Sequence, residues 1–156
     1  AGPEAWSPLA GFAAVNAEML AFAQRHKPQK TAILDMDATL VETFKKEARY
    51  SNKGHRAYQP LNTWWAKQEL LVHTEFRAGN VPAGFKQKRV LEQALTLLPA
   101  GVKHVRLRSD TAGYQRESLR FCESSASERF GRIVFGVGCP VDAAFKRSVA
   151  ALPESA

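Results

Sequence analysis

Two aspartates that lie one residue apart are the first residues of this chain whose types and spacing can support chemistry. They are Asp35 and Asp37 in ILDMDATLVET, residues 33–43, where an apolar run leads into them and Thr39 follows. Residues two apart on a strand point to the same face, so both carboxylates can serve one site. Such a pair can act as nucleophile and general acid. Alternatively, an aspartate on this strand can hold a metal ion.

The first of these chemistries has a specific precedent in sequence. DMDATL resembles the first motif of haloacid-dehalogenase-type phosphatases, DxDGTL, and departs from it at Ala38. That family also needs a Ser or Thr at the end of its second parallel strand, a lysine near the phosphate and a later acidic pair for magnesium. The stretch RIVFGVGCP is followed by Asp142 alone, so a phosphatase would lack its metal site.

The elements that must position the aspartates follow from periodicity. A helix is predicted from Leu9 to the break at Pro28, and TAILDMDATLV then predicts a buried strand. Residues 44–54 predict a polar loop. Residues 55–80 predict an antiparallel hairpin with a bulge at Pro60. The remaining predictions, in chain order, are helix 84–99, strand 101–110, helix 114–125, strand 131–139 and helix 141–152.

This order, β-β-β-α-β-α-β-α after one helix, predicts an α/β fold of the ribonuclease-H-like class. In that fold a mixed five-stranded sheet has its first strand in the middle, and the fourth strand lies beside it. A doubly wound parallel sheet would place a helix soon after the first strand. Here no helix is predicted between the first strand and residue 84.

A second aspartate, Asp110, ends the predicted fourth strand in VRLRSDTAGY. In this topology Asp37 and Asp110 meet at adjacent strand ends, where their charges repel unless a cation lies between them. Hard oxygen ligands with open positions suit Mg²⁺ or Mn²⁺. Such ions activate a water or sugar hydroxyl and stabilise the departing 3′ oxygen in phosphodiester displacement.

Four blocks now carry a family resemblance: ILDMDATLVET, YQPLNTWW, HTEFRAGNVPAG and VRLRSDTAGYQRESLRFC. Together they resemble bacterial insertion-sequence transposases of the DDE class, in the branch whose first motif is Asp-x-Asp-Ala-Thr. The resemblance begins near residue 29, so residues 1–28 are expected to be a lead-in and helix, and 29–156 a partial catalytic domain. It implies Asp37 and Asp110 as the first two catalytic, metal-binding carboxylates. Asp35 either assists as a ligand or is held by hydrogen bonds.

The family also requires a third acid, a glutamate well downstream of the second aspartate. Glu117, Glu123 and Glu128 come too early, Asp142 is the wrong residue type, and Glu154 lies in the tail. The segment is therefore interpreted as the front part of a transposase core. The full-length parent would perform metal-dependent strand cleavage and transfer, and this chain would be inactive or impaired. A non-catalytic DNA-binding remnant is the alternative, and the phosphatase is the third hypothesis.

Charge predicts a polyanionic partner, nucleic acid first, and the resemblance implies that this partner is DNA at the element ends and at the target. The chain has 22 Lys+Arg against 15 Asp+Glu, a net charge of +7, which attracts polyanions. The expected DNA-contacting residues are Lys45, Lys46, Arg49, Lys53, Arg77, Asn80 and Arg108. The alternatives are a solvated loop for the first four and a turn that needs positive φ at Gly79 and Asn80. For Arg108 the alternative is a cation that balances the carboxylates.

The remaining composition gives no sign of a membrane-spanning protein or of a CxxC site. No apolar run approaches the roughly 18 to 20 residues of a membrane span. Cys122 and Cys139 form no CxxC pair, so a reducing cytoplasm is the expected location. The resemblance to bacterial transposases implies association with the nucleoid. The resemblance also allows a homodimer of the full-length parent.

Overall fold

The structure, a computed structural model, describes residues 8–125 and 127–152. The predicted lead-in at residues 1–7 and the tail residue Glu154 lie outside the described residues. The first helix, α1 (Pro8–His26), ends before Pro28 as predicted. Leu20 on this helix is fully buried in the core, and Asn16 Nδ2 donates to the Val72 carbonyl at 3.0 Å. The helix therefore packs on the rest of the domain.

The other elements, in chain order, are β1 (Thr31–Ala38), β2 (Val41–Glu42), β3 (Arg49–Tyr50), β4 (Arg56–Tyr58), β5 (Leu61–Trp65), β6 (Leu70–Glu75), α2 (Gln87–Leu97), β7 (His104–Ser109), α3 (Arg116–Glu123), β8 (Val134–Val137) and α4 (Ala143–Ala150). The main sheet has the order β6-β5-β1-β7-β8. β5 runs antiparallel to β1, whereas β7 and β8 continue the sheet in parallel. The central position of β1, with β7 beside it, confirms the predicted mixed sheet of the ribonuclease-H-like fold.

One face of this sheet forms the core. β1 buries Ala32, Leu34 and Met36 at alternate positions, as the period of a strand requires. α2 adds its apolar stripe, in which Val90, Leu91 and Ala94 are fully buried at helical spacing. Within residues 8–125 and 127–152, no helix combines the length and apolarity that a membrane crossing needs.

Residues 41–58 form a second sheet, which we call the three-stranded lobe, where a polar loop was predicted for 44–54. Its strand order is β2-β4-β3, with β4 antiparallel to both neighbours. The strands are two or three residues long, too short for alternation to reveal them in the sequence. The lobe has its own small interior, in which Ala48 and Ala57 are buried. Arg56 Nη1 donates to the Ala48 carbonyl at 2.8 Å.

The prediction of a bulge at Pro60 is wrong in position. Pro60 lies between β4 and β5, where the chain passes from the lobe to the main sheet, and its carbonyl accepts from Thr39 N at 3.1 Å. Proline has no N–H for a ladder bond, so a gap between strands suits it better than a strand interior. The register shift of the hairpin occurs instead between Thr63 and Trp64.

The segment after β6 joins the lobe to the main sheet. Tyr58 and Ala78 form an isolated bridge, and Gly79 N donates to the Ala57 carbonyl at 2.9 Å. Positive φ was the expected reason for a turn at Gly79 and Asn80, but neither residue has it. Glycine is required at 79 because a Cβ there would lie 2.4 Å from the Ala57 carbonyl oxygen.

Candidate active site

The parallel ladder between β1 and β7 places the two aspartates. It pairs Thr31 with His104 and ends with Met36 opposite Ser109, at a constant sequence offset of 73 residues. The next residue on each strand path is an aspartate, Asp37 on β1 and Asp110 just beyond β7. The carboxyl ends of parallel strands meet at one edge of a sheet, so both aspartates lie at that edge. Both are exposed to solvent.

A side-chain hydrogen bond closes this ladder. Ser109 Oγ donates to the Met36 carbonyl at 3.0 Å, directly before the two aspartates. The Ser109 carbonyl in turn accepts from Gly138 N at 3.1 Å, which attaches the exit of β8 to the same point. Ser109 therefore fixes the spacing of the β1 and β7 ends. Sequence reasoning missed it, although its place before Asp110 was visible.

A tight turn orients Asp110. Its Oδ1 accepts from Ala112 N at 3.0 Å and caps the 3₁₀ turn Thr111–Gly113. Gly113 is buried in this turn, and a Cβ there would lie 2.4 Å from Ser109 Oγ. Only glycine fits at that position, so the turn and the end of β7 form one packed unit. The Asp110 carboxylate is thereby held at the sheet edge.

Asp35 is engaged by a neighbour on β7. Arg108 Nε and Nη2 donate to its two carboxylate oxygens at 2.6 and 2.7 Å. This two-pronged ion pair holds the pKa of Arg108 above its ordinary value. The sequence left two roles open for Asp35, as an assisting metal ligand or as a residue held by hydrogen bonds. In the structure Asp35 is held by its hydrogen bonds with Arg108. Asp37, two residues further along, is not in an ion pair within the described part of the chain.

Asn62 faces Asp37 from the other side. It is the antiparallel partner of Asp37 on β5, and directly opposed residues share a face. Asn62 Oδ1 accepts from Thr74 Oγ1 at 2.7 Å, and its Nδ2 donates to Thr39 Oγ1 at 3.5 Å. An amide and two hydroxyls thus border the Asp37 side of the edge. Nothing in the sequence pointed to Asn62 beyond its place in the predicted hairpin.

The donor set fits a hard divalent cation in part. Asp35 is paired with Arg108, whereas neither Asp37 nor Asp110 has an ion-pair partner among the residues that the structure describes. Paired carboxylate oxygens are the ligands that Mg²⁺ and Mn²⁺ prefer. Among the described residues, however, no group of three or more His, Cys, Asp or Glu side chains gathers in metal-binding geometry. The site therefore presents two ligands of the required kind.

The acids considered for a third position have other places. Glu117 lies in the first turn of α3, on the helix that packs against α2. Asp142 caps α4, where its Oδ1 accepts from Phe145 N at 2.7 Å. This hydrogen bond accounts for an acid at position 142 without a metal.

The residues predicted to contact DNA divide into two groups. Lys45, Lys46, Arg49 and Lys53 all lie exposed on the three-stranded lobe, and Asn80 is exposed in the turn that contacts the lobe. Arg77 is different, because its side chain is only 3% exposed and its Nε donates to Glu75 Oε1 at 2.8 Å. Arg108 is occupied by Asp35. The lobe and its turn thus form an exposed cationic surface near the aspartates.

Two comparisons relate the chain to known proteins. The family described as transposase DDE domain group 1 matches residues 4–154. Among solved structures, the chain is similar to the Mos1 mariner paired end complex with Mn, at 15% identity and a TM-score of 0.46. The alignment covers 89% of this chain but 47% of that one, so the chain spans about half the length of that protein. No curated protein matches. With the family match extending over nearly all of its length, the chain belongs to the transposase DDE domain family, group 1.

Proposed function

We propose that Asp37 and Asp110 bind a divalent ion, Mg²⁺ or Mn²⁺, in the strand-cleavage and strand-transfer centre of a DNA transposase. The observation that carries the proposal is the β1–β7 register, which brings both aspartates to neighbouring strand ends. The ion pair between Asp35 and Arg108 supports it, because it removes the nearest competing carboxylate.

The proposed reaction has two steps in the full-length protein. Water breaks a phosphodiester bond at an element end and leaves a 3′ hydroxyl and a 5′ phosphate. That hydroxyl then attacks a phosphorus atom of the target strand, joins to it and displaces a target 3′ oxygen, so one phosphodiester bond forms as another breaks. When bound, the divalent ion supplies a more acidic water and charge stabilisation at each departing 3′ oxygen.

The chain's own residues hold this geometry. Asp37 and Asp110 supply the negatively charged oxygen atoms, and the turn Thr111–Gly113 orients the second of them. Ser109 maintains the distance between the two strand ends through its hydrogen bond to Met36. Reacting groups held in place in this way lose less entropy on the way to the transition state.

DNA would bind across the three-stranded lobe, with Lys45, Lys46, Arg49 and Lys53 contacting phosphates and Asn80 at its border. We leave Arg77 and Arg108 outside this surface because each already pairs with a carboxylate. Each phosphate that is neutralised releases condensed counterions, so affinity should fall steeply with salt. The place of action would be the bacterial nucleoid, and a homodimer of the full-length protein is part of the proposal.

Titration with Mn²⁺, followed by electron paramagnetic resonance of the free ion, tests the metal site. Asp37→Asn and Asp110→Asn should each abolish measurable binding, because one carboxylate alone holds a hard cation weakly. The matched control is the double variant Asp35→Asn with Arg108→Gln, which removes the neighbouring ion pair without changing the net charge. This control should bind Mn²⁺ as the parent does.

Two results would reject the metal site. One is Mn²⁺ binding that is unchanged in both Asp37→Asn and Asp110→Asn. The other is binding that is lost in the Asp35 and Arg108 double variant but kept in the Asp37 variant, since that would move the ligand two residues back along β1.

A DNA-binding domain without catalysis is the second candidate function. It is favoured by the absence, among the described residues, of a group of three metal-ligating side chains. Nicking of supercoiled plasmid in Mn²⁺ distinguishes the two functions. Nicking by the parent that is lost in Asp37→Asn supports the catalytic proposal, whereas salt-sensitive DNA binding with no nicking supports the second.

A further inference from the structure

The three-stranded lobe exposes aromatic rings as well as cations. Phe44, in the loop after β2, is 96% exposed, the most exposed of the large apolar side chains in the described residues. Tyr50 on β3 is 61% exposed, and the Arg56 guanidinium lies 4.9 Å from its ring centroid. Phe76 is exposed too, and it contacts the Tyr58 ring at a centroid distance of 4.6 Å. A single exposed aromatic ring is ordinary on a protein surface. Several exposed rings on and beside one small basic lobe call for an explanation.

The lobe that carries most of these rings is attached to the end of the main sheet where Asp37 lies. β1 ends at Ala38, and only two residues separate it from β2 and the lobe. β6 is antiparallel to β5, which is antiparallel to β1, so β6 runs in the direction of β1 and Phe76 follows the same edge. The bridge between Tyr58 and Ala78 attaches the lobe there. The lobe that carries Phe44 and Tyr50 therefore leaves the main sheet at the edge where Asp37 lies, and Phe76 follows a strand end at that edge.

The charge of the lobe selects a polyanion. Residues 41–58 contain five Lys or Arg and two Glu, a net charge of +3. Cations alone are sufficient to follow the phosphates of a duplex, in which the bases are stacked on each other and offer no faces. Exposed rings among cations are the arrangement that binds unpaired strands, because every base has a face that can stack on an aromatic side chain.

We propose that the three-stranded lobe binds an unpaired segment of a DNA strand next to the aspartates, with Phe44 stacking on a base. Lys45 and Lys46, which follow Phe44 in the chain, contact the phosphates of the same strand. Lys53, between β3 and β4, contacts them as well. This inference rests on the proposed function for its DNA partner and adds the form that the DNA takes. Its occupant is a strand end or a locally opened duplex at the point of cleavage.

Fluorescence anisotropy of the full chain tests the inference with two probes. One is a thymidine homopolymer longer than the roughly 4 to 16 nucleotides that such a surface covers, and the other is a duplex of the same length. Phe44→Ala should weaken binding of the single strand by roughly 5- to 150-fold. Binding of the duplex should change little. The matched control is Phe12→Ala, an exposed phenylalanine on α1, which should change neither.

The salt dependence separates stacking from charge. Stacking releases no counterions, so Phe44→Ala should lower single-strand affinity without changing the slope of log affinity against log salt. Lys45→Ala with Lys46→Ala should instead flatten that slope by about 0.7 for each phosphate of the single strand that is no longer neutralised.

An equal effect of Phe44→Ala on both probes, no effect on either, or an effect matched by Phe12→Ala would overturn the assignment of Phe44. Each of these results leaves the Mn²⁺ titration of Asp37 and Asp110 untouched, so the proposed function would stand. Conversely, if the Mn²⁺ titration rejected the metal site while Phe44→Ala still weakened single-strand binding, the stacking inference would stand without the proposed function.

Discussion

On one face of the main sheet, β1 places Ala32, Leu34 and Met36 in the core that it shares with α2 and α3. On the opposite face the same strand carries Asp35 and Asp37. β7 repeats the division, with Val105 and Leu107 buried and Arg106 and Arg108 exposed. The buried residues of β1 and β7 therefore hold the two strands in place, and the strands position the charged side chains on the opposite face. The candidate site, with its two exposed aspartates, needs a rigid ladder beneath it, and the buried face supplies that rigidity.

The chemistry of the two faces differs accordingly. In the core, burial raises the pKa of the Cys122 thiol to about 11 and leaves it neutral at physiological pH. On the open face, the hydrogen-bonded carboxylate of Asp35 raises the pKa of Arg108. A polar group buried without such a partner costs stability, whereas an exposed ion pair contributes little. Large stability effects are therefore expected from substitutions on the buried face and small ones from the open face.

The largest effect should come from Leu34→Ala, which leaves a cavity under the centre of the sheet. Truncation of a fully buried leucine typically costs about 2 to 5 kcal/mol, and Leu34 has no exposed surface. The matched control is Ile33→Ala, the adjacent residue on the other face of β1, which is only partly buried. Urea denaturation of both variants measures the difference. Equal losses for the two variants would contradict the division between the faces.

A smaller effect is expected from Ser109→Ala, where one hydrogen bond connects the two strand ends. Its loss should lower the free energy of unfolding by about 1 kcal/mol and also weaken Mn²⁺ binding, because the spacing of Asp37 and Asp110 relaxes. The matched control is Ser118→Ala, since Ser118 Oγ is buried on α3 with no partner among the described residues. This control should keep Mn²⁺ affinity and stability. A Ser109 variant with normal Mn²⁺ affinity would reduce the serine to a structural role.

Much of this architecture could be predicted because it depends on near-neighbour patterns. The alternation in TAILDMDATLV predicts β1, the stripe from Val90 to Leu98 predicts α2, and their order predicts which strand ends meet. The sequence allowed Arg108 to balance the carboxylates, but its pairing with Asp35 in particular could not be predicted in the same way. It depends on the register between strands 73 residues apart, and a shift by one residue would turn Arg108 to the other face.

The lobe escaped prediction for a different reason. Strands of two or three residues, such as Arg49–Tyr50, are too short to show a period, and their polar residues are those of a loop. Gly79 was assigned to a turn conformation, although its real constraint is the carbonyl of Ala57, a contact between distant parts of the chain. Long-range packing, rather than local preference, decided each of these cases.

The smallest effect should come from the double variant Asp35→Asn with Arg108→Gln. The pair lies on the open face and is well solvated, so salt screens it and its removal should shift Tm only slightly. Thermal unfolding at low salt and at high salt, about 1 M, measures this, and any shift should disappear at the higher concentration. A drop in Tm comparable with that of Leu34→Ala would show that the open face contributes to stability as much as the core.

The connection between the three-stranded lobe and the main sheet has a consequence for how this fold can vary. The chain leaves β1 after Ala38 and returns at Leu61, and the hydrogen bond from Thr39 N to the Pro60 carbonyl closes the two crossings against each other. Everything between them lies outside the β1–β7 ladder. Residues 41–58 contribute no pair to that ladder, so we expect changes in their length or sequence to leave the register of Asp37 and Asp110 in place. Under the proposed function, the part of the chain that contacts DNA and the part that holds the metal ion are therefore separable pieces of one polypeptide.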